Sequence, residues 1–312
     1  SHLGVNGEFG LGDWRAAFDL SHKNVNIDSN YVVDDYYSQN KTSSTRGGVR
    51  TWRNFSAEGL TYKFLVGADA ERWSQDRNTN YGNTTVDQSS DALFGRYELL
   101  SQRQGLSGYV GVRRTQSKRQ AQGDYSGQLD VNNQSWDIGL AKTVADGAEV
   151  FARVGTSFRL ANADEFSCYT YFCPGNTLNL LKPQQSRDQE VGYKQRQVWG
   201  QWSARAYRYA FTNEIGMGSD QFSNVNYDPT RRQGLELDTK AHISPKFDAA
   251  VQYAYREAVF TEGSYAGKQV PLAPKNVLTA RLSYLMSETQ NISLMTQWVS
   301  SQKISGDFDN TC

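Results

Sequence analysis

Long apolar runs are missing from this 312-residue chain, and no stretch of 18 or more such residues offers a transmembrane helix. Net charge is missing too. Lys and Arg number 33, Asp and Glu 33, and no block of like charge compensates locally, which argues against a nucleic-acid binder that relies on overall positive charge. Only three histidines (His2, His22, His242) and three cysteines are present, and none of the histidines lies near a cysteine in sequence. The chain opens Ser1-His2-Leu3-Gly4, with neither Met nor a basic-then-apolar leader, and its first residue reads as a fragment start or the interior of a mature chain. Gly-rich phosphate loops, a G-x-S-x-G elbow and metal-spaced histidine pairs are lacking, so the sequence offers no active site, no metal site and no cofactor motif.

What the chain has in quantity is aromatic residues, 12% of the total with 18 tyrosines and 7 tryptophans, although only 38% of residues are hydrophobic. That is too aromatic for disorder. It suits a strand-rich protein with a wet interior and an apolar outer band. Period-two alternation dominates, as in Trp14, Ala16, Phe18 and Leu20 against Arg15, Ala17, Asp19 and Ser21, or Leu235 and Leu237 against Glu236 and Asp238. Such segments predict about fourteen strands, near 3–9, 14–23, 45–55, 60–74, 91–102, 106–119, 133–143, 149–159, 187–195, 201–213, 231–243, 247–259, 276–285 and 291–301. Short turns alternate with long loops, the latter predicted around 24–44, 75–90, 120–132, 160–186, 214–230 and 260–275. A strict short/long alternation gathers the tight turns at one end of an antiparallel sheet and the loops at the other, as in a transmembrane β-barrel. A soluble barrel or propeller explains the alternation but not the sorted loop lengths. An edge left open in lipid would strand backbone polar groups, so the strands either close on themselves or belong to a larger barrel. The ending Asp307-Phe308-Asp309-Asn310-Thr311-Cys312 reads as mid-loop and favours the larger barrel.

Cys168 and Cys173 stand in a turn-rich stretch, where a local disulfide is the preferred reading over free thiols and implies an oxidising compartment; Cys312 is left without an obvious partner. Asp28, Asp34 and Asp35 share one predicted loop and could offer oxygen ligands to a divalent cation, although a solvated acidic loop is the plainer reading. Glu236 and Asp238 resemble a carboxylate pair but read as wall residues matched to arginines.

Four segments carry a family resemblance. They are Phe158–Phe166 (FRLANADEF), Leu181–Gly192 (LKPQQSRDQEVG), Asn213-Glu214-Ile215, and Tyr227–Leu237 (YDPTRRQGLEL), with Tyr265–Lys275 (YAGKQVPLAPK) as a fifth further on. In this order and at these intervals they resemble the C-terminal barrel half of TonB-dependent outer-membrane receptors, over roughly Val150 to Asn310; earlier, Arg72–Gln75 leading into a polar loop is similar as well. The resemblance implies an all-β transmembrane antiparallel barrel of twenty-two strands around an N-terminal plug. On that comparison residues 1–312 are an incomplete barrel domain, lacking the plug, the first strands and the last strands. It also implies a bacterial outer-membrane location, lipid and lipopolysaccharide as neighbours, a ferric siderophore or similar bulky nutrient as ligand, and the TonB energy-coupling protein as partner through an N-terminal segment. It implies neither an enzyme nor a nucleic-acid binder.

The long loops and strand tips hold aromatics (Tyr31, Tyr36, Tyr37, Trp73, Tyr81, Phe166, Tyr169, Tyr171, Phe172, Phe222, Tyr227) interleaved with Arg72, Arg77, Arg159, Arg231 and Arg232. Aromatic faces with guanidinium groups can hold a planar anionic ligand. The candidate ligand-binding residues are therefore Trp73, Arg159, Tyr169, Tyr171, Phe172, Tyr227 and Arg231. An interfacial girdle is the competing assignment for tyrosines near strand ends. Arg231 and Arg232 are adjacent in a strand, so at most one can face the lumen. Haem is disfavoured, since Phe158-Arg159-Leu160-Ala161 and Asn179-Leu180-Leu181-Lys182-Pro183 match the haem receptors' boxes only loosely and no histidine lies between. The sequence alternative is a passive porin-like channel.

Overall fold

The computed structural model describes residues 1–32, 35–80, 82–123, 126–162, 165, 181–219 and 223–311. The strands are β1 (His2–Leu11), β2 (Trp14–Tyr31), β3 (Tyr36–Ala57), β4 (Leu60–Thr79), β5 (Gly82–Ser101), β6 (Leu106–Gly123), β7 (Gly127–Ala145) and β8 (Ala148–Arg159). They continue with β9 (Gln184–Gln197), β10 (Gly200–Thr212), β11 (Ile215–Met217), β12 (Asn224–Asn226), β13 (Thr230–Ser244), β14 (Phe247–Phe260), β15 (Asn276–Ser287) and β16 (Gln290–Val299). Fourteen of them form one antiparallel meander in sequence order, with β1 and β16 at its two ends. β11 and β12 make a separate two-stranded hairpin inside one connection.

The two faces of the sheet differ as the alternation requires. One carries Leu93, Val112, Leu140, Val191, Leu235 and Leu294; Leu93 is 68% exposed, Leu140 59% and Leu294 71%. A wall of such side chains is not a face built for water. The opposite face is a lattice of arginines and carboxylates. Buried side chains are correspondingly few, and among the described residues only Phe260 and Thr230 are the large ones excluded from solvent almost completely.

The connections after β1, β3, β5, β7, β9, β13 and β15 are tight turns, and these turns lie at one end. Glu58 and Gly59 both take positive φ (53° and 78°), the pair of left-handed residues that a two-residue hairpin of the right twist demands. The register shifts by one residue beside three of these turns, at Thr143/Ala145, His242/Ser244 and Leu285/Ser287. Aromatic pairs on the apolar face collect near this end: Phe55 stacks on Tyr62 at 4.8 Å, Phe247 on Tyr284 at 4.5 Å, and Tyr193 lies 5.1 Å from Trp202. Such a ring suits an interfacial girdle.

Three of the expected long loops are corrected. Residues 24–44, 75–90 and 120–132 mostly continue the ladder, with β3 and β4 in register from Ser38↔Thr79 to Ala57↔Leu60. Strands such as β3, at 22 residues, are about twice the 9–11 that a tilted span needs, so they rise well beyond the apolar band. The cause is that pairing needs only backbone groups. The run Lys41-Thr42-Ser43-Ser44-Thr45 shows no apolar alternation yet pairs residue for residue. Asp28 accordingly lies in β2, accepting hydrogen bonds from Gln39 Nε2 (2.9 Å) and Asn26 Nδ2 (3.4 Å), and not in a loop. Asp35 is a turn residue at φ 46° and Asp34 lies outside the described residues. No acidic cluster able to hold a metal forms among the described residues.

Candidate functional site

The genuine long connections run 160–183, 213–229 and 261–275, and the motif residues of the sequence converge on their roots. Arg159 ends β8 on the polar face. Its guanidinium grips Glu165 in a two-point pair, at 2.7 Å to Oε2 and 2.9 Å to Oε1, while donating to Gln184 Oε1 (3.2 Å) and the Ile215 carbonyl (3.2 Å). The Asn162 N–H also donates to Glu165 Oε2 at 2.7 Å. Burial works to raise the Glu165 carboxyl, but the hydrogen bonds of Arg159 and Asn162 and the charges of Arg159 and Arg119 outweigh it, and it sits below the ordinary carboxylate range. One arginine thus ties the start of the first connection, the start of β9 and the start of the second connection together.

Beside this knot Arg119, 4% exposed, donates to Gln88 Oε1 (2.9 Å from Nε) and to the Ala161 carbonyl (2.6 Å). Its guanidinium carbon stands 5.6 Å from the centre of the Trp73 ring. Trp73 in turn packs on the small cluster Val86, Ala121, Ala161, Leu181 and Ile215. Arg119 was not singled out in the sequence. The only signal for it was its place on the polar face at a strand end, which it shares with many residues.

A second node forms where β13 begins. Glu214, buried, accepts from Thr230 Oγ1 at 2.5 Å and pairs with Arg232. The Arg232 guanidinium carbon also stands 5.0 Å from the centre of the Phe211 ring. Asn226 locks the two connections side by side, accepting from Lys182 N (2.8 Å) and donating to the carbonyls of Lys182 (3.0 Å) and Asn213 (2.9 Å). Tyr227 follows in an aromatic nest, with ring centres 5.7 Å from Phe260 and 5.3 Å from Phe308, its hydroxyl donating to Met217 O at 2.8 Å. Burial, helped by the nearby Glu214 carboxylate, pushes its phenol up to about 12, so it stays a donor. Gly234 is required by crowding, since a Cβ there would stand 2.0 Å from Tyr255 O and 2.9 Å from Tyr207 Oη.

The sequence-predicted residues therefore divide. Trp73, Arg159 and Tyr227 sit at the loop end, close to the roots, but Arg159 and Tyr227 are committed to internal partners. Arg231 falls on the face of Leu235 and Leu237, with its Nε buried and without a hydrogen-bond partner; the register gives the polar face to Arg232. Tyr169, Tyr171 and Phe172, like Cys168 and Cys173, lie outside the described residues, as do Tyr81, Phe166, Phe222 and Cys312. Lower on the polar face a ladder of alternating charge crosses seven strands, β5 to β10 and β13, the first pair reaching across β6: Arg96–Asp137 3.9 Å, Asp137–Arg153 3.8 Å, Arg153–Glu190 3.7 Å, Glu190–Arg205 3.3 Å and Arg205–Glu236 2.5 Å. Glu236 is a wall residue paired with arginine, as expected, whereas no described residue forms an ion pair with Asp238.

A family model for the TonB-dependent receptor-like β-barrel matches residues 2–312. The chain belongs to that family. Its fold is similar to the ferric yersiniabactin uptake receptor of Yersinia pestis, at 15% identity and TM-score 0.72 over 98% of this chain and 50% of that one. It is similar also to a ferric citrate transporter in the unliganded form (14%, TM-score 0.78, 98% and 49%) and to a copper transporter (13%, TM-score 0.72, 96% and 51%). A comparison with curated protein sequences finds no match. The chain spans about half the length of these structures. In this barrel family the apolar face is the outer, lipid-facing wall and the polar face the inner one. The tight turns and their aromatic ring mark one mouth and the rooted connections the other.

Proposed function

We propose that the protein is an outer-membrane receptor that captures a ferric siderophore at the long-connection mouth and imports it with TonB-derived energy. The observation that carries this reading is the construction of the loop roots. Arg159 and Asn226 stitch the connections 160–183 and 213–229 together, Glu214 fixes the second to the start of β13, and Thr261, donating to Pro229 O, joins the third, so the loop centres stand on a rigid rim. A fixed scaffold carrying variable loops is the usual arrangement for recognition. Those loop centres include Tyr169, Tyr171 and Phe172, residues able to stack on and hydrogen-bond to a planar chelate. Trp73 packs at the roots of the connections, and Arg232, rather than Arg231, lies on the inner side, paired with Glu214. Cys168–Cys173 pairing would shorten and stiffen the first connection.

In the complete protein, a plug domain is proposed to fill the lumen against the alternating ladder from Arg96 to Glu236, whose paired charges offer both donors and acceptors. That two of the structural neighbours are receptors or transporters for ferric chelates supports iron as cargo, and the copper transporter marks the alternative. The test is tryptophan-fluorescence titration of the full-length receptor with a panel of ferric siderophores. Saturable quenching by at least one member is expected. Quenching by none, together with steady single-channel conductance in planar bilayers, would instead support a passive channel.

A further inference from the structure

On the inner wall the charge pattern changes towards the tight-turn mouth. Higher up, the ladder arginines Arg96, Arg153 and Arg205 are each matched to carboxylates. Nearer the turns, the register sets Arg196 opposite Gln201, Gln201 opposite Lys240, Lys240 opposite Ala250 and Ala250 opposite Arg281. Five neighbouring strands therefore carry one straight row. With strands about 4.8 Å apart, its three cations recur every ~10 Å. Between them stand a neutral amide and a methyl group, so nothing bulky fills the gaps. The row borders a hollow of about 660 Å³, with His242 and Asn291 along its lower edge.

The carboxylates of this neighbourhood are occupied or set apart. Asp248 is held by His242 Nδ1 at 2.5 Å and Glu149 by Lys194 at 3.7 Å, while Asp238 stands one row further from the turns. Arg281 donates to Ser293 Oγ at 3.1 Å, and among the described residues no carboxylate pairs with Arg196, Lys240 or Arg281. A wall that needed only to be wet could alternate sign, as the ladder above does. Three unmatched cations in a row repel one another weakly, at about a Debye length, and their summed field inside a low-dielectric wall attracts negative charge.

We propose that Arg196, Lys240 and Arg281 form a second binding site, for a small, multiply charged anion bearing carboxylate or phosphate groups, at the tight-turn mouth of the lumen. It lies at the end opposite the rooted connections, where an anionic solute leaving the lumen would meet it last. The site does not depend on which cargo the loops take.

The full-length protein in detergent, titrated calorimetrically at low salt with tricarballylate and with pyrophosphate, tests this. Saturable binding of either probe is expected, weakened about tenfold or more by the double substitution Lys240→Gln/Arg281→Gln. It should be retained by Lys240→Arg and by the outer-face control Arg208→Gln. All these side chains face water or the outer wall, and Arg196→Gln provides an independent loss variant should the double variant fail to assemble. No saturable binding of either probe, or binding unchanged in the loss variants, overturns the proposal. So does protection of Lys240 from acylation when no anion is present, which would mean that polypeptide already covers the row.

Discussion

Replacing Arg159 with alanine removes four hydrogen bonds that hold three chain segments, two of them to the Glu165 carboxylate. Charged hydrogen bonds contribute roughly 1.5–3 kcal/mol, but Arg159 keeps 38% of its side chain exposed, and screening reduces the expected loss to about 1–2 kcal/mol. The loss should be local, read as faster proteolysis of the 160–183 connection. Lysine should not restore protection, because a single ammonium cannot make the two-point pair. Glu165 adds a pH dependence. Its folded pKa is depressed, so its contribution is complete above the ordinary glutamate range, near ~4.3, and is lost as pH falls through the folded value. Acidification should therefore open the same connection to protease, and Glu165→Gln should be susceptible already at neutral pH. At the same scale, Cys168–Cys173 is expected to be oxidised in protein taken from outer membranes, read as resistance to thiol alkylation until reductant is added.

At the level of the strand, the two faces should answer a charge differently. Leu140→Arg places a cation on the lipid-facing wall, at a cost of roughly 2–4 kcal/mol near the bilayer midplane. The inner-face substitution Ser135→Arg, on the same strand, should be tolerated. The temperature at which the folded barrel loses its anomalous gel mobility separates them. Gly234→Ala should also lower that temperature, because the added methyl meets the Tyr255 carbonyl, which belongs to the paired strand and cannot swing aside. Alternation made these strands legible: each of the fourteen expected segments coincides with one strand of the large sheet, three of them (91–102, 201–213 and 291–301) overrunning its end by one or two residues, from Trp14, Phe18 and Leu20 in β2 to Ile292, Leu294 and Trp298 in β16. Their upper ends were not legible. Above the apolar band both faces are polar, so Thr42-Ser43-Ser44-Thr45 carries no periodic signal while its backbone pairs as regularly as before. The hairpin β11–β12 was hidden for a similar reason, being three residues a side within a loop. The motifs were legible because they are architectural. Glu214, Gln184, Thr230 and Gly234 hold the roots of the loops, which explains why they signal a family and are silent about a ligand. Arg231 and Arg232 show the remaining limit, since only the register decides which of two adjacent arginines faces inward.

Taken whole, the molecule is a strand wall with a lipid-facing exterior, a charged interior and a rigid rim of connections at one mouth. That wall holds loops, lines a lumen and presents charge. Uptake of a siderophore labelled with radioactive iron distinguishes a TonB-coupled receptor from a passive channel. Cells expressing the full-length receptor should be compared with cells lacking it, each with and without a working TonB system. Saturable uptake that requires both the receptor and TonB is expected. Uptake that persists without TonB and rises linearly with concentration would contradict it and make the protein a passive channel.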